Sequence, residues 1–278
     1  MLKNRLATLL IWLSVILISA VFVVLVLDLV RHGWAGLSLA YLVDAPLDAG
    51  RGGGIGPIMV STGLILALTI SVAAPLSLAT AVFLTEFSSK NSVFSGIIKR
   101  SLDVLASVPS IVFGLFGNAF FCVYLGLGFS ILSGGLTLAC MVLPILIRTF
   151  SEGLRAAPDE YRLAAAALGL NRAAALRHFL LPTATPALIA GLMLAIGRAI
   201  AETAALIFTS GYVDRMPDSL MDSGRALSIH IYDLSMNVAG GDSHANSAAL
   251  ILINLLFMIN TLSSKLAYHW MHKRITCL

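Results

Sequence analysis

Residues 58–83 read IMVSTGLILALTISVAAPLSLATAVF, a stretch with no Asp, Glu, Lys or Arg. About 20 apolar residues in a helix rising 1.5 Å per residue are enough to cross a hydrocarbon core of about 30 Å. This stretch is longer than that, and it is one of several. Further apolar runs cover Leu9–Leu27, Leu102–Leu125, Leu132–Ile147, Leu188–Phe208 and Ala248–Leu262. The expected fold is therefore all-α and integral to a membrane, with about six transmembrane helices. Composition agrees: of 278 residues, 58% are hydrophobic and only 12% charged, whereas a water-wetted domain carries about twice that charge.

The first run follows Lys3 and Arg5 as a secretory signal does, but it is too long for one and lacks a small-x-small cleavage site. It reads as a retained span. Pro75, Pro109 and Pro144 fall inside apolar runs, where neighbouring helices can re-satisfy the freed backbone groups. Gly126-Leu127-Gly128 is a tight turn that makes the third and fourth runs an antiparallel hairpin. The glycine-rich RGGGIGP, residues 51–57, reads as turn chemistry ahead of a spanning helix, since no lysine follows as in a phosphate-binding loop.

Basic residues set the orientation. With the N-terminus inside, inner segments hold Lys3, Arg5, Lys90, Lys99, Arg100, Arg148, Arg155, Arg162, Arg172, Arg177, Lys265, Lys273 and Arg274, against Arg31, Arg51, Arg215 and Arg225 outside. Both termini are expected in the cytoplasm. The net charge of +4 lies at the ends of apolar runs and forms no basic stripe with interleaved aromatics, so no nucleic-acid partner is expected. Membrane lipid is the expected surrounding. The outer segment Gly211–His244 gathers Asp214, Asp218, Asp222, Asp233 and Asp242 and reads as a solvated loop.

Cys122 and Cys140 fall inside apolar runs and Cys277 is next to last, which gives neither a disulfide framework nor a metal pattern. His269 and His272, flanking Trp270, read as an inner-interface anchor rather than as metal ligands. Asp103, beside Lys99 and Arg100, reads as an interfacial residue in local ion pairs. No metal site and no catalytic residue is expected.

Between the fourth and fifth runs, residues 151–182 are too polar to span. A first short helix can start at Pro158-Asp159-Glu160, where proline suits the first turn and the acids complement the helix dipole. Gly169 is its stop. Asn171 can cap a second helix that carries Arg172 and Arg177 and ends before Pro182. The alanine-rich wall of the first helix either packs on its own membrane domain or lets another protein's backbone approach closely.

The segment LAAAALGLNRAAALRHFLLP, residues 163–182, resembles the EAA loop of permease subunits of ATP-binding-cassette importers. Ala164 and Ala165 match the alanines of that loop, Gly169 its glycine, and Leu181 with Pro182 its distal pair. Leu163 stands where the loop has glutamate. The resemblance favours docking: in that family the loop inserts into a groove on a separate ATPase subunit. The chain itself has no GxxxxGK[ST] phosphate loop, so it is expected to be no enzyme, with ATP and Mg on the partner.

The fifth run contains GRAIAETAAL, residues 197–206. Arg198 lies twelve residues past Pro186, roughly 18 Å along a helix, and so near mid-membrane. Glu202 is four residues later, one helical turn away. A charge at that depth costs about 3 kcal/mol and faces protein or a polar path. Either Arg198 presents its guanidinium to an anion in the pore while Glu202 orients it, or the two form a structural ion pair.

Five separated stretches, GGIGP (53–57), LDVLASVPSIVFGLFG (102–117), VLPILIRTFSEGLRAAP (142–158), RAIAETAAL (198–206) and LSIHIYDLSMNVAGGD (227–242), resemble the permeases of high-affinity phosphate importers. That resemblance implies a type I ABC importer permease (MetI-like) fold and a phosphate pathway through Arg198 and Glu202. It also implies three kinds of partner: a homologous PstC-like permease, a PstB-like ATPase dimer and a periplasmic PstS-like phosphate-binding protein, around a bacterial inner membrane. The expected organisation is an N-terminal helix with an outer loop over 1–56, a permease core over 57–268 containing the coupling loop 151–182, and a cytoplasmic tail over 269–278. Permeases for sulfate, molybdate or a phosphonate share this reading, and a transporter or channel working without ATP is the rival from another class.

Overall fold

Lipid offers no hydrogen bonds, so a spanning chain must satisfy its amides internally, and the apolar runs accordingly form helices. The computed structural model describes the backbone of residues 2–89 and 92–275 and the side chains of residues 5, 7–89 and 92–265. His269, Trp270, His272 and Cys277 lie outside the described side chains. In chain order the elements are α1 (Leu2–Gly33), α2 (Leu39–Val43), β1 (Pro46–Leu47), β2 (Gly52–Gly53), α3 (Gly56–Val82), α4 (Val93–Ser107), α5 (Ser110–Gly117) and α6 (Ile131–Arg155), then α7 (Asp159–Ala167), α8 (Arg172–Ala175), α9 (Leu181–Ile200), α10 (Ala204–Ile207), α11 (Leu227–Met236) and α12 (Asp242–Ile275). β1 and β2 close a two-residue antiparallel hairpin, with Pro46 opposite Gly53. The glycine-rich stretch is thus a turn leading into α3, whose Pro57 sits in the first helical turn.

Among the described residues, five stretches are each long and apolar enough to cross a membrane: Ala7–Gly36, Gly56–Phe87, Ile131–Arg155, Arg172–Ile200 and Asp242–Lys265. A sixth appears only if α4 and α5 with its extension are taken together, and they meet at 103°. The third apolar run, expected over Leu102–Leu125, is therefore bent at Pro109. Pro109 has no N–H to donate, and it holds Val108 extended at φ −70°, ψ 129°, so the helix ends and restarts there. Pro75 and Pro144, by contrast, remain inside α3 and α6.

The fifth span is also shifted from its expected bounds. It begins at Arg172, inside the segment expected to be loop, and stops at Ile200, with Glu202 and Thr203 outside any helix before α10. The second loop helix does not end before Pro182. A wider π-helical turn over Leu176–Leu180 joins α8 to α9 without a break, and Pro182 follows directly on that turn.

The core is organised round α6, whose apolar stretch is 67% buried, against 28% for α3 and 22% for α9 and α12. Small residues allow this. A Cβ on Gly153 would fall 2.5 Å from the Ala187 methyl of α9, and one on Gly135 would fall 2.6 Å from Leu68 of α3. Without a hydrophobic drive between helices in lipid, such close approach supplies the packing. Ile65, Leu138, Val142, Leu146, Phe150 and Ala195 fill the seam between the three helices.

The outer segment is more than a solvated loop. Leu227, Ile229 and Leu234 of α11 are buried, and the Leu227 amide donates to Thr62 Oγ1 of α3 at 2.9 Å. Arg225, only 11% exposed, faces Asp233 at 3.3 Å and Asp214 at 3.8 Å, so two of the acids neutralise a buried cation. Burial of these aliphatic side chains pulls the segment down onto the bundle.

On the inner side, α7 starts after Pro158 with Asp159 and Glu160 in its first turn. It ends as expected at Gly169, in the left-handed region at φ +69°, where the amides of Gly169 and Leu170 donate back to the carbonyls of Ala166 and Ala165. Asn171 Oδ1 accepts from the Ala174 amide at 2.8 Å and caps α8. Arg162 ties the loop down. Its Nη2 and Nε donate to Glu86 Oε1 and Oε2 at 2.8 and 3.3 Å, and it also donates to Asp159 and to the carbonyls of Leu154 and Ala157. The hydrogen bonds it donates to Glu86 hold the guanidinium pKa above its ordinary value, with burial opposing them. Glu86 stands just past α3 and Leu154 at the end of α6, so the loop is fastened to both.

Two substitutions test this packing. Gly153→Ala lowers the thermal stability of the detergent-solubilised protein by an amount equivalent to about 1–3 kcal/mol, and a compensating Ala187→Gly recovers it; no loss in the single variant would refute the close α6–α9 contact. Arg162→Ala leaves the nearly buried Glu86 carboxylate without its partner, a loss of about 1.5–3 kcal/mol. Amide exchange across residues 156–172 then rises, whereas unchanged protection would show that the loop is anchored by something else.

Candidate functional site

Two regions carry the residues singled out from the sequence. The first is the loop between α6 and α9. Leu163, at 69% exposure, and Leu168, at 71%, stand in solvent with Ala164 and Ala167 between them, while Ala165 turns inward and is buried. Gly169 is exposed at the end of the same wall. Leu181 and Pro182 are half-buried at the start of α9. The loop residues therefore divide: Leu163, Ala164 and Gly169 present a surface, and Ala165, Leu181 and Pro182 hold it in position.

The second region lies in the membrane. Contacts between α6 and α9, Gly153 against Ala187 and Thr149 against Gly191, give an antiparallel register. Continued along both helices, that register sets Arg198 level with Val142, the middle of the Ile131–Arg155 span. Arg198 is exposed on the single chain. It lines a recess of about 220 Å³ with Leu105, Ala106, Val108, Phe113, Met141, Pro144, Ile145 and Arg148.

Arg198 and Glu202 do not form the expected pair, and among the described residues no ion pair joins them. The four-residue spacing brings side chains together only within a continuous helix, and α9 ends at Ile200. Glu202 instead accepts the Ala205 amide at 3.2 Å in the first turn of α10, and its carbonyl, freed by the break, accepts the Ser228 hydroxyl at 2.5 Å. The bend in the chain thus spends Glu202 on local structure and leaves the guanidinium open.

Asp103 is paired with Arg148 of α6, not with its sequence neighbours Lys99 and Arg100. In the sequence Arg148 reads only as an orientation signal. A helical signal was present: Met141, Pro144, Ile145 and Arg148 follow the i, i+3, i+4, i+7 spacing of one helix face. That face lines the recess.

Similarity to other proteins agrees with this geometry. Residues 73–276 match the family described as the binding-protein-dependent transport system inner membrane component. A probable ABC transporter permease protein of Bacillus subtilis, YqgI, is 29% identical over 98% of this chain and 97% of its own. The phosphate transport system permease protein PstA 2 of Mycobacterium bovis is 32% identical over 76% of this chain and 70% of its own, and PstA of Mycobacterium leprae is 38% identical over 68% and 62%. A solved structure of the MetNI methionine ABC transporter in an inward-facing conformation matches with a TM-score of 0.62 at 16% identity, over 77% of this chain and 96% of that one, a likeness of fold alone. The chain belongs to the binding-protein-dependent transport system inner membrane component family and is an all-α, PstA-like ABC transporter permease with a MetI-like fold.

Proposed function

We propose that this permease forms one half of the channel of an ATP-driven importer that carries inorganic phosphate across a bacterial cytoplasmic membrane. The observation that carries the proposal is the open guanidinium of Arg198 at mid-membrane, with a second arginine on the same recess. A cation facing lipid at that depth costs about 2.5–3.5 kcal/mol. The exposed face therefore needs cover from protein and water, which a homologous PstC-like permease and an aqueous path between the two provide. Arginine presents a planar fork of donors, suited to two oxygens of an oxyanion at once. The relatives named as phosphate transport system permeases support phosphate as that oxyanion.

Energy comes from a PstB-like ATPase dimer carrying ATP and Mg, docked on the outward wall of α7. Closing of the dimer would draw α7 with it. Because Arg162 links α7 to the ends of α3 and α6, the pull reaches the two helices that pack at the heart of the bundle. A periplasmic PstS-like binding protein delivers the anion at the outer face. Leu163, in place of the family glutamate, makes the docking contact apolar at that point.

Arg198→Gln tests the pathway. The complex still assembles, and phosphate uptake into proteoliposomes falls by about tenfold or more, the size of one lost charge-assisted hydrogen bond. Uptake at the normal rate would leave Arg198 a structural residue and remove the basis for the anion path.

A further inference from the structure

Three recesses in the inner half of the chain share lining residues. The mid-membrane recess that holds Arg198 also contains Arg148. Arg148 lines a second recess of about 120 Å³ together with Lys99, Asp103, Glu152 and Arg155. Lys99 and Arg155 in turn line a third, of about 920 Å³, bounded by the cytoplasmic loop, where Arg162 and Arg172 join them beside Glu86 and Asp159. A path from mid-membrane to cytoplasm can thus be followed without leaving side chains common to adjacent recesses.

The charges along it are not balanced. Six cations (Arg198, Arg148, Lys99, Arg155, Arg162 and Arg172) face four carboxylates (Asp103, Glu152, Glu86 and Asp159). Arg162 occupies Glu86 and Asp159, and Asp103 is on Arg148. Arg172 donates to the Glu86 carbonyl, not its carboxylate. Among the described residues, Arg198, Lys99, Arg155 and Arg172 have no carboxylate partner, and Glu152 is the carboxylate without a cation.

We propose that the three recesses form one exit track for an oxyanion, in which Arg148, restrained by Asp103, takes the anion from Arg198 and passes it to Lys99 and Arg155 at the cytoplasmic edge. This rests on the anion-pathway reading of Arg198 given above. Arg148 lies six residues below the level of Arg198 along α6, about 9 Å at 1.5 Å per residue, within reach of two long side chains converging on one recess. A guanidinium has five N–H donors, and the contact with Asp103 is made through Nη2, so donors remain for a second oxyanion. The carboxylate also keeps the site from holding an anion too firmly, which conduction through successive sites requires. Lys99 and Arg155 then offer exposed cations where the anion meets water.

The test uses the complete transport complex in proteoliposomes, with radiolabelled phosphate as the probe and copurification of all subunits as the check on assembly. Arg148→Gln lowers uptake by about tenfold or more, and Arg148→Lys, which keeps the charge, retains most of it. The exchange Asp103→Arg with Arg148→Asp re-forms the ion pair but takes the cation away from the Arg198 recess, which Asp103 does not line. Uptake in the exchanged variant stays low. Recovery there would show that the pair serves only to pin α4 to α6 and would overturn the proposal. An independent arm is Lys99→Gln with Arg155→Gln, both exposed, which lowers uptake severalfold in an assembled complex; unchanged uptake would remove the cytoplasmic part of the track. Normal transport by Arg198→Gln defeats the anion pathway altogether, whereas an inactive Arg198→Gln beside normally transporting Arg148 variants defeats this inference alone.

Discussion

Everything in this permease leans on the close approach of α3 and α9 to α6. Helices in lipid gain nothing from hiding apolar surface from water, because the tails are as apolar as leucine, so they hold together through close approach and through hydrogen bonds such as that from Thr69 Oγ1 of α3 to the Gly135 carbonyl of α6 at 3.1 Å. Gly135 lets Leu68 of α3 settle against α6, and Gly153 lets Ala187 of α9 do the same lower down. Once that seam is closed, the antiparallel register of α6 and α9 follows. The register in turn decides that Arg198 stands level with the middle of the span and that the face carrying Met141, Pro144 and Arg148 meets it. The charged recess is a consequence of where glycines allow contact.

The same helix delivers the loop. α6 continues to Arg155 and turns at Ala157 into α7, and the carbonyls of Leu154 and Ala157 are left for Arg162 to bind. A single guanidinium thereby closes the end of α6, the end of α3 through Glu86 and the start of α7 through Asp159 into one unit. Few arrangements let a surface helix move two membrane helices together. This one links them through a side chain whose pKa is raised further by its partners, so its charge is constant across any physiological pH.

How much of this could be read beforehand depended on how local the physics was. The cap at Asn171, the stop at Gly169 and the start after Pro158 were all legible, because each is decided within four residues. The spans were legible as apolar runs, but their continuity was not. Pro75, Pro109 and Pro144 look alike in sequence, yet only Pro109 breaks a helix. Pro144 lies in the most buried span, whereas the helix around Pro109 is exposed over much of its length. The pairing of Arg198 with Glu202 failed for the same reason: four-residue spacing implies contact only if the helix persists, and α9 stops at Ile200. Asp103 and Arg148 are 45 residues apart, and no local pattern joins them.

The account treats this chain as the phosphate-conducting permease of an ATP-driven importer, and one measurement bears on all parts of that statement. The complex is purified through this subunit, reconstituted with its periplasmic binding protein, and its ATP hydrolysis followed on addition of phosphate, sulfate, molybdate or a phosphonate. The account predicts that an ATPase copurifies and that phosphate, not the other three, stimulates it. Stimulation by another oxyanion in place of phosphate, or a complex that transports with no ATPase attached, would contradict it.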